Sequence, residues 1–200
     1  MQTVRFTQMK DGTREEYQFL REKEEHYLEK TADRVVRELA LQAEDTLSGY
    51  RVTRLEHALQ SATRASRDNA DIDWVVAALL HDIGDGLAPQ NHDRFAAEIL
   101  RPFTREEVTW VVEHHGAFQM YYYAHHYGWD RHERDQYAHN PYYKSCLDFC
   151  ERWDQSSFDP DYDNLPLEFF VPLVAEVFSR KAYDPEYLQS GIVIGLPATV

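Results

Sequence analysis

The feature that most constrains the fold is a helix apolar enough to be buried that ends on two polar side chains. From Asp71 the chain reads Asp-Ile-Asp-Trp-Val-Val-Ala-Ala-Leu-Leu-His-Asp-Ile-Gly-Asp-Gly. Val75, Val76, Leu79, Leu80 and Ile83 recur at helical spacing. Asp71 and Asp73 stand where a helix entrance takes an acidic cap or a first-turn charge, and Gly84 and Gly86 let the chain turn away. An imidazole and a carboxylate, His81 and Asp82, are expensive to bury at the end of such a run without partners. The usual partner of this pair is a metal ion, so further ligands are expected elsewhere in the chain.

The remaining segments also read as helical. Residues 1–12 form an arm, and 13–30 a charged helix with Tyr17, Leu20, Tyr27 and Leu28 as its apolar contacts. Thr31 caps a second helix carrying Val35, Val36, Leu39 and Ala40, and Gly49 breaks the pattern. A third helix over 53–66 has Leu55, Ala58, Leu59 and Ala62 inward, with His57 beside that face. Beyond a turn-rich loop at 84–91, His92 opens a helix that Pro102 ends. Thr104 and Glu107 make a capping-box pattern for the next, which reaches Glu113-His114-His115-Gly116. An aromatic segment over 118–123 leads into a charged, exposed stretch at 128–140. A helix over 142–155, a loop at 159–166 and a last amphipathic helix over 167–178 follow; the tail from Gln189 has no pattern.

No alternating strand series, repeat or linker interrupts this order, so the expected architecture is one all-α domain over residues 1–200. It would carry an arm at 1–12, a metal-binding core at about 50–155 and a tail at 189–200. The length suffices for a sizeable core, and 43% hydrophobic with 14% aromatic residues excludes a disordered chain.

Bulk charge narrows the function. A net charge of −14 repels polyanions, so nucleic acid is not the expected partner. A locally positive metal site can still attract a small anion. Cys146 and Cys150 have no further cysteines to pair with and read as core thiols of a reducing compartment. The first residues lack a signal core and no run approaches a membrane span, so a cytoplasmic protein is expected.

The candidate ligands are His57, the His81-Asp82 pair, His92, His115 and Asp154. Apart from the adjacent pair, each comes from a different element, so only the fold can gather them. Imidazoles and carboxylates without sulfur suit iron, manganese or zinc. Asp82 has two oxygens and can bridge neighbouring ions, which makes it the central catalytic candidate. His57, His81 and Asp154 could complete one ion, and His92 with His115 the second, leaving open positions for substrate or dioxygen. His115 is preferred to His114 because Gly116 follows it, and His125 and His126 read as channel or surface groups.

In this order, His57…His81-Asp82…Asp154 resembles the HD superfamily, and His92 and His115 extend the likeness to its two-metal pattern. The words Leu55-Glu56-His57-Ala58-Leu59-Gln60, Val76-Ala77-Ala78-Leu79-Leu80-His81-Asp82 and Cys146-Leu147 leading to Trp153-Asp154 resemble the diiron oxygenase branch that cleaves organophosphonates. The likeness covers roughly residues 50 to 155. It implies two iron ions in a mixed-valent Fe(II)/Fe(III) state. Substrate would bind through a 1-hydroxyl and a phosphonate oxygen, and dioxygen would be used to remove hydrogen from C1 before phosphate is lost.

Two positions depart from that branch. Asp85 replaces a basic residue or histidine that often follows His-Asp-x-Gly, and Gln119 stands where one relative has a lysine. These departures point away from simple aminoethylphosphonate. They favour a cationic far end, received by Asp85 and the Tyr121–Tyr123 cluster through charge and cation–π contact. The expected substrate is 1-hydroxy-2-(trimethylammonio)ethylphosphonate, then its primary-amine analogue, with Lys144 and Arg152 as candidate phosphonate contacts. Two other classes compete: a metal-dependent phosphohydrolase of a nucleotide or small phosphomonoester, in which the ions generate hydroxide, and a non-catalytic ligand-binding HD module.

Overall fold

The computed structural model describes residues 3–44 and 49–198, so the outermost residues of the expected arm and tail lie outside the described residues. Eight α-helices and no β-strand occur among the described residues. They are α1 (Arg14–Glu29), α2 (Thr31–Leu41), α3 (Arg54–Arg67), α4 (Ile72–Leu80), α5 (His92–Leu100), α6 (Glu106–Tyr123), α7 (Tyr143–Phe149) and α8 (Leu167–Phe178). The all-α bundle is the expected one.

Helix α4 is the axis of the bundle, packed against α3, α6 and α8, while α5 lies on α6 and α6 on α7. Trp74, Leu79 and Leu80 are wholly buried, each side chain contributing about 1.5–3 kcal/mol by leaving water. An almost uniformly apolar helix is stable only in such a position. Its start is fixed by Asp71, whose carboxylate accepts from the Asp73 and Trp74 amides. Asp73 turns inward and is held by Arg105 at 3.0 Å and Arg180 at 2.6 Å, tying the entrances of α4 and α6 to the end of α8. Reciprocal capping boxes, Thr13 with Glu16 and Thr53 with Glu56, start α1 and α3.

Several local expectations are corrected. Thr104 and Glu107 make no capping box. The Thr104 amide and hydroxyl both return to the Leu100 carbonyl, so the cap position falls on Arg105. Glu107 is buried against the Ser145 hydroxyl, which donates to it; burial pushes its carboxyl above the usual range. Helix α1 buries none of its residues; of its expected apolar contacts, Tyr27 and Leu28 are exposed, with Tyr27 under the Arg34 guanidinium at 3.8 Å. The expected single helix over 142–155 breaks into α7 and a π-helical turn at Cys150–Asp154, closed by Gln155 N–H to the Cys150 carbonyl at 2.9 Å. The unpatterned tail is a strap: the Ile194 carbonyl accepts from the Trp74 indole at 3.1 Å, and the Pro197 carbonyl from Arg152 at 2.5 Å.

Candidate metal centre

Four imidazoles converge from α3, α4, α5 and α6, and the backbone decides which nitrogen each presents. A carbonyl can only accept, so the ring nitrogen facing it carries the proton. His57 Nδ1 donates to Ser157 O at 2.9 Å and His81 Nδ1 to Ala78 O at 2.9 Å. His115 Nδ1 donates to Val112 O at 2.7 Å and His92 Nδ1 to Pro89 O at 3.3 Å. Every Nε2 is therefore turned to the middle of the site, the arrangement by which an outer hydrogen bond sets the tautomer of a ligating histidine.

Asp82, in the turn after α4, sorts these nitrogens with its two oxygens. Oδ2 lies 3.5 Å from His57 Nε2 and 3.6 Å from His81 Nε2; Oδ1 lies 3.1 Å from His115 Nε2 and 3.3 Å from His92 Nε2. Asp154, delivered by the π turn, puts Oδ1 3.4 Å from His57 Nε2 and 3.6 Å from His81 Nε2. π turns are frequent at functional sites because they re-aim one side chain without ending the helix. Gly84 brings the second pair in. A Cβ there would lie 2.8 Å from the His92 carbonyl oxygen and 2.9 Å from Phe95 Cβ, so only glycine lets α5 start this close to Asp82.

The spacing fits a bound cation. Donors about 2.1 Å from one ion lie roughly 3.0 to 3.4 Å apart at octahedral or tetrahedral angles, and the separations here run from 3.1 to 3.6 Å. His57 Nε2 and His81 Nε2 face each other at 3.1 Å, two lone pairs that repel unless a proton or an ion stands between them. Asp154 Oδ2 is buried without a hydrogen-bond partner. Among the described residues, His57–His81–Asp154 and His81–Asp82–His115 each keep their candidate donor atoms within 4.8 Å of one another.

Residues 54–146 match the family described as HD domain. The chain carries an HD domain. The His81-Asp82 pair at the end of α4 lies within the matched residues. Two curated proteins are similar over part of their length. The [1-hydroxy-2-(trimethylamino)ethyl]phosphonate dioxygenase (glycine-betaine-forming) of Leisingera caerulea is 34% identical over 36% of this chain and 43% of that protein. The hydroxymethylphosphonate dioxygenase of Gimesia maris is 35% identical over 35% of this chain and 41% of that protein. The aligned stretch thus spans less than half of either relative.

Electrostatically, the HD-domain site is a buried set of mutually dependent charges. Burial acts to lower the basicity of His115, yet its hydrogen bond to Asp82 and the Asp82 and Asp154 charges win, pushing its pKa up to about 10. For His57 burial is likewise outweighed, by the hydrogen bond and charge of Asp154 and the charge of Asp82, and its pKa rises. Burial opposes ionisation of Asp82 and Asp154, but the surrounding histidines hold both carboxyls well below the usual range.

A cavity of about 630 Å³ opens onto these ligands. Gln119 lines it, donating from Nε2 to Asp154 Oδ1 at 2.7 Å while its own Oε1 has no partner. Asp85 lines it as well, paired with Arg54 and 3.5 Å from His92 Nδ1, so its charge is already matched. Lys144 and Arg152 do not reach the cavity. Lys144 is an exposed partner of Asp148 at 2.8 Å, and Arg152 pairs with Asp68 at 2.6 Å. Of the tyrosine run, Tyr122 and Tyr123 face the cavity, whereas Tyr121 turns to Arg131 and Arg134, at 4.1 and 3.5 Å from its ring. His114 stacks on Trp110 at 4.2 Å, away from the site.

Sequence reading missed Arg54 and an aromatic wall of Tyr50, Phe158, Tyr127 and Trp129. Phe158 stacks on His57 at 4.5 Å and on Tyr50 at 5.3 Å; Tyr127 meets Trp129 at 5.0 Å. Trp129, in the stretch expected to be merely exposed, stands at the mouth. Only the aromatic character of these positions was visible in sequence, and it carried no periodicity to group them.

Proposed function

We propose that this chain is a non-haem diiron oxygenase that cleaves the carbon–phosphorus bond of 1-hydroxy-2-(trimethylammonio)ethylphosphonate, with the primary-amine analogue as second choice. One O2 is consumed: the carbon bearing the hydroxyl becomes a carboxylate, and the phosphonate leaves as inorganic phosphate, with all oxygen atoms accounted for. The observation that carries this reading is the division of Asp82 between two sets of donors: Oδ2 with His57, His81 and Asp154, and Oδ1 with His92 and His115. Such a set would hold two ions, with Asp82 offering one oxygen to each side. Both similar proteins are phosphonate dioxygenases, which supports phosphonate oxidation here.

Iron bound there, in a mixed-valent Fe(II)/Fe(III) pair, would supply Lewis acidity for substrate oxygens and electrons for dioxygen. The rest is the work of the chain. Four backbone carbonyls fix the imidazole tautomers, and Gln119 holds Asp154 in place. The aromatic wall lines the cavity and offers π faces to a quaternary ammonium, a contact worth about 0.5 to 2 kcal/mol. Because Asp85 is engaged by Arg54, the ammonium falls to these rings and not to Asp85. No helix of the described residues is long and apolar enough to cross a membrane. A cytoplasmic setting keeps the buried Cys146 and Cys150 as thiols.

The test is phosphate release from the trimethylammonio substrate by iron-loaded protein, with and without oxygen. Equimolar O2 uptake and phosphate release, both lost under nitrogen, are expected. Anaerobic phosphate release from a nucleotide, supported by zinc or manganese, would replace the oxygenase by the phosphohydrolase.

A further inference from the structure

The geometry points to Arg54 as the residue that receives the anionic end of the substrate, with Asp85 as the positioning residue that aims it. This deepens the proposed phosphonate chemistry and rests on it. Arg54 opens α3 one helical turn before His57, so both side chains reach the same cavity wall. Among the described residues lining that cavity, it is the one Lys or Arg. The Gln119 amide brings no positive charge, and Lys144 and Arg152 are occupied elsewhere.

Asp85 explains why the guanidinium stays at the wall. Its side chain is only 9% exposed, and a carboxylate so nearly buried needs a cation. Oδ2 takes Arg54 while Oδ1 lies 3.5 Å from His92 Nδ1, so the pair sits beside a residue of the candidate metal centre. Asp85 Oδ2 engages the guanidinium at Nη1, and the other N–H donors of Arg54 remain for an oxyanion. An ammonium group placed on Asp85 would instead sit beside the Arg54 guanidinium and be repelled. The anion therefore belongs at the Arg54 end of the cavity, and the cation among Tyr50, Tyr123, Tyr127 and Trp129.

The test uses the full iron-loaded chain with Arg54→Met, Arg54→Lys, Asp85→Asn and the double variant Arg54→Met/Asp85→Asn, which leaves no orphaned carboxylate. Two readouts are taken: anaerobic calorimetry with methylphosphonate, and KM for hydroxymethylphosphonate and for the trimethylammonio substrate. Arg54→Met and the double variant should weaken methylphosphonate binding and raise both KM values by about 10- to 100-fold, the range of a lost charge-assisted hydrogen bond, at unchanged iron content. Arg54→Lys should fall between, and Asp85→Asn should raise both KM values by a smaller factor. Unchanged binding in the double variant overturns the assignment. So does an Asp85→Asn effect confined to the cationic substrate, which would make Asp85 the ammonium partner. If wild type binds methylphosphonate through Arg54 yet oxidises neither substrate, the anion site stands and the oxygenase reading falls.

Discussion

Replacing Asp82 by alanine should empty both metal positions, whereas replacing His92 should empty one. Among the described residues, Asp82 turns one oxygen to each donor set. Without it His57, His81 and Asp154 retain three ligands and one charge, but His92 and His115 retain two neutral nitrogens. Breaking a buried set of opposite charges by removing one member costs about 3–5 kcal/mol. At about 1.4 kcal/mol per tenfold, that is a loss of roughly two to three and a half decades of metal affinity. His92→Ala removes a donor from the Oδ1 side alone, and its side chain is the most exposed of the four imidazoles, at 25%. Iron per chain after desalting, with circular dichroism to confirm helix content, should read near zero for Asp82→Ala and near one for His92→Ala. Two irons retained in Asp82→Ala, or none in folded His92→Ala, would refute the bridging argument.

Gly84→Ala should drive α5 away from the doublet, because the new Cβ meets the His92 carbonyl oxygen at 2.8 Å; iron should fall to about one per chain, with about 1–3 kcal/mol of lost stability by denaturant titration. Asp73→Asn should leave buried Arg105 and part-buried Arg180 without this carboxylate and cost about 3 kcal/mol, which lowers Tm by roughly 6–12 °C in a differential scanning measurement. The pH dependence has a definite sign. The pKa of His115 rises on folding from 6.5 to about 10, so its contribution to metal-free stability is complete below pH 6.5 and disappears as pH rises through 10. Metal-free Tm should decline over that window, and iron loading at pH 8 should release protons, measured in a weakly buffered dye assay.

How much of this was legible follows from the kind of signal each residue carries. Helix α4 and its doublet were readable because a continuous apolar run has one stable location and its polar end needs a partner. The remaining candidate ligands were readable through their order and neighbouring words, and the fold brings all six together. Contacts made by long side chains across the fold were not. Nothing local separates Arg152, spent on Asp68, from Arg54, aimed into the cavity. The π turn also has no composition of its own; it arises where α7 must bury Trp153 and still deliver Asp154. The tail had no periodicity because it docks through its backbone carbonyls.

The most direct measurement is anomalous diffraction at the iron edge from crystals of the loaded protein. Two peaks about 3.5–4 Å apart, one on each side of the Asp82 carboxylate, are expected. A single peak, or a pair that leaves His92 and His115 uncoordinated, would contradict a bridged centre.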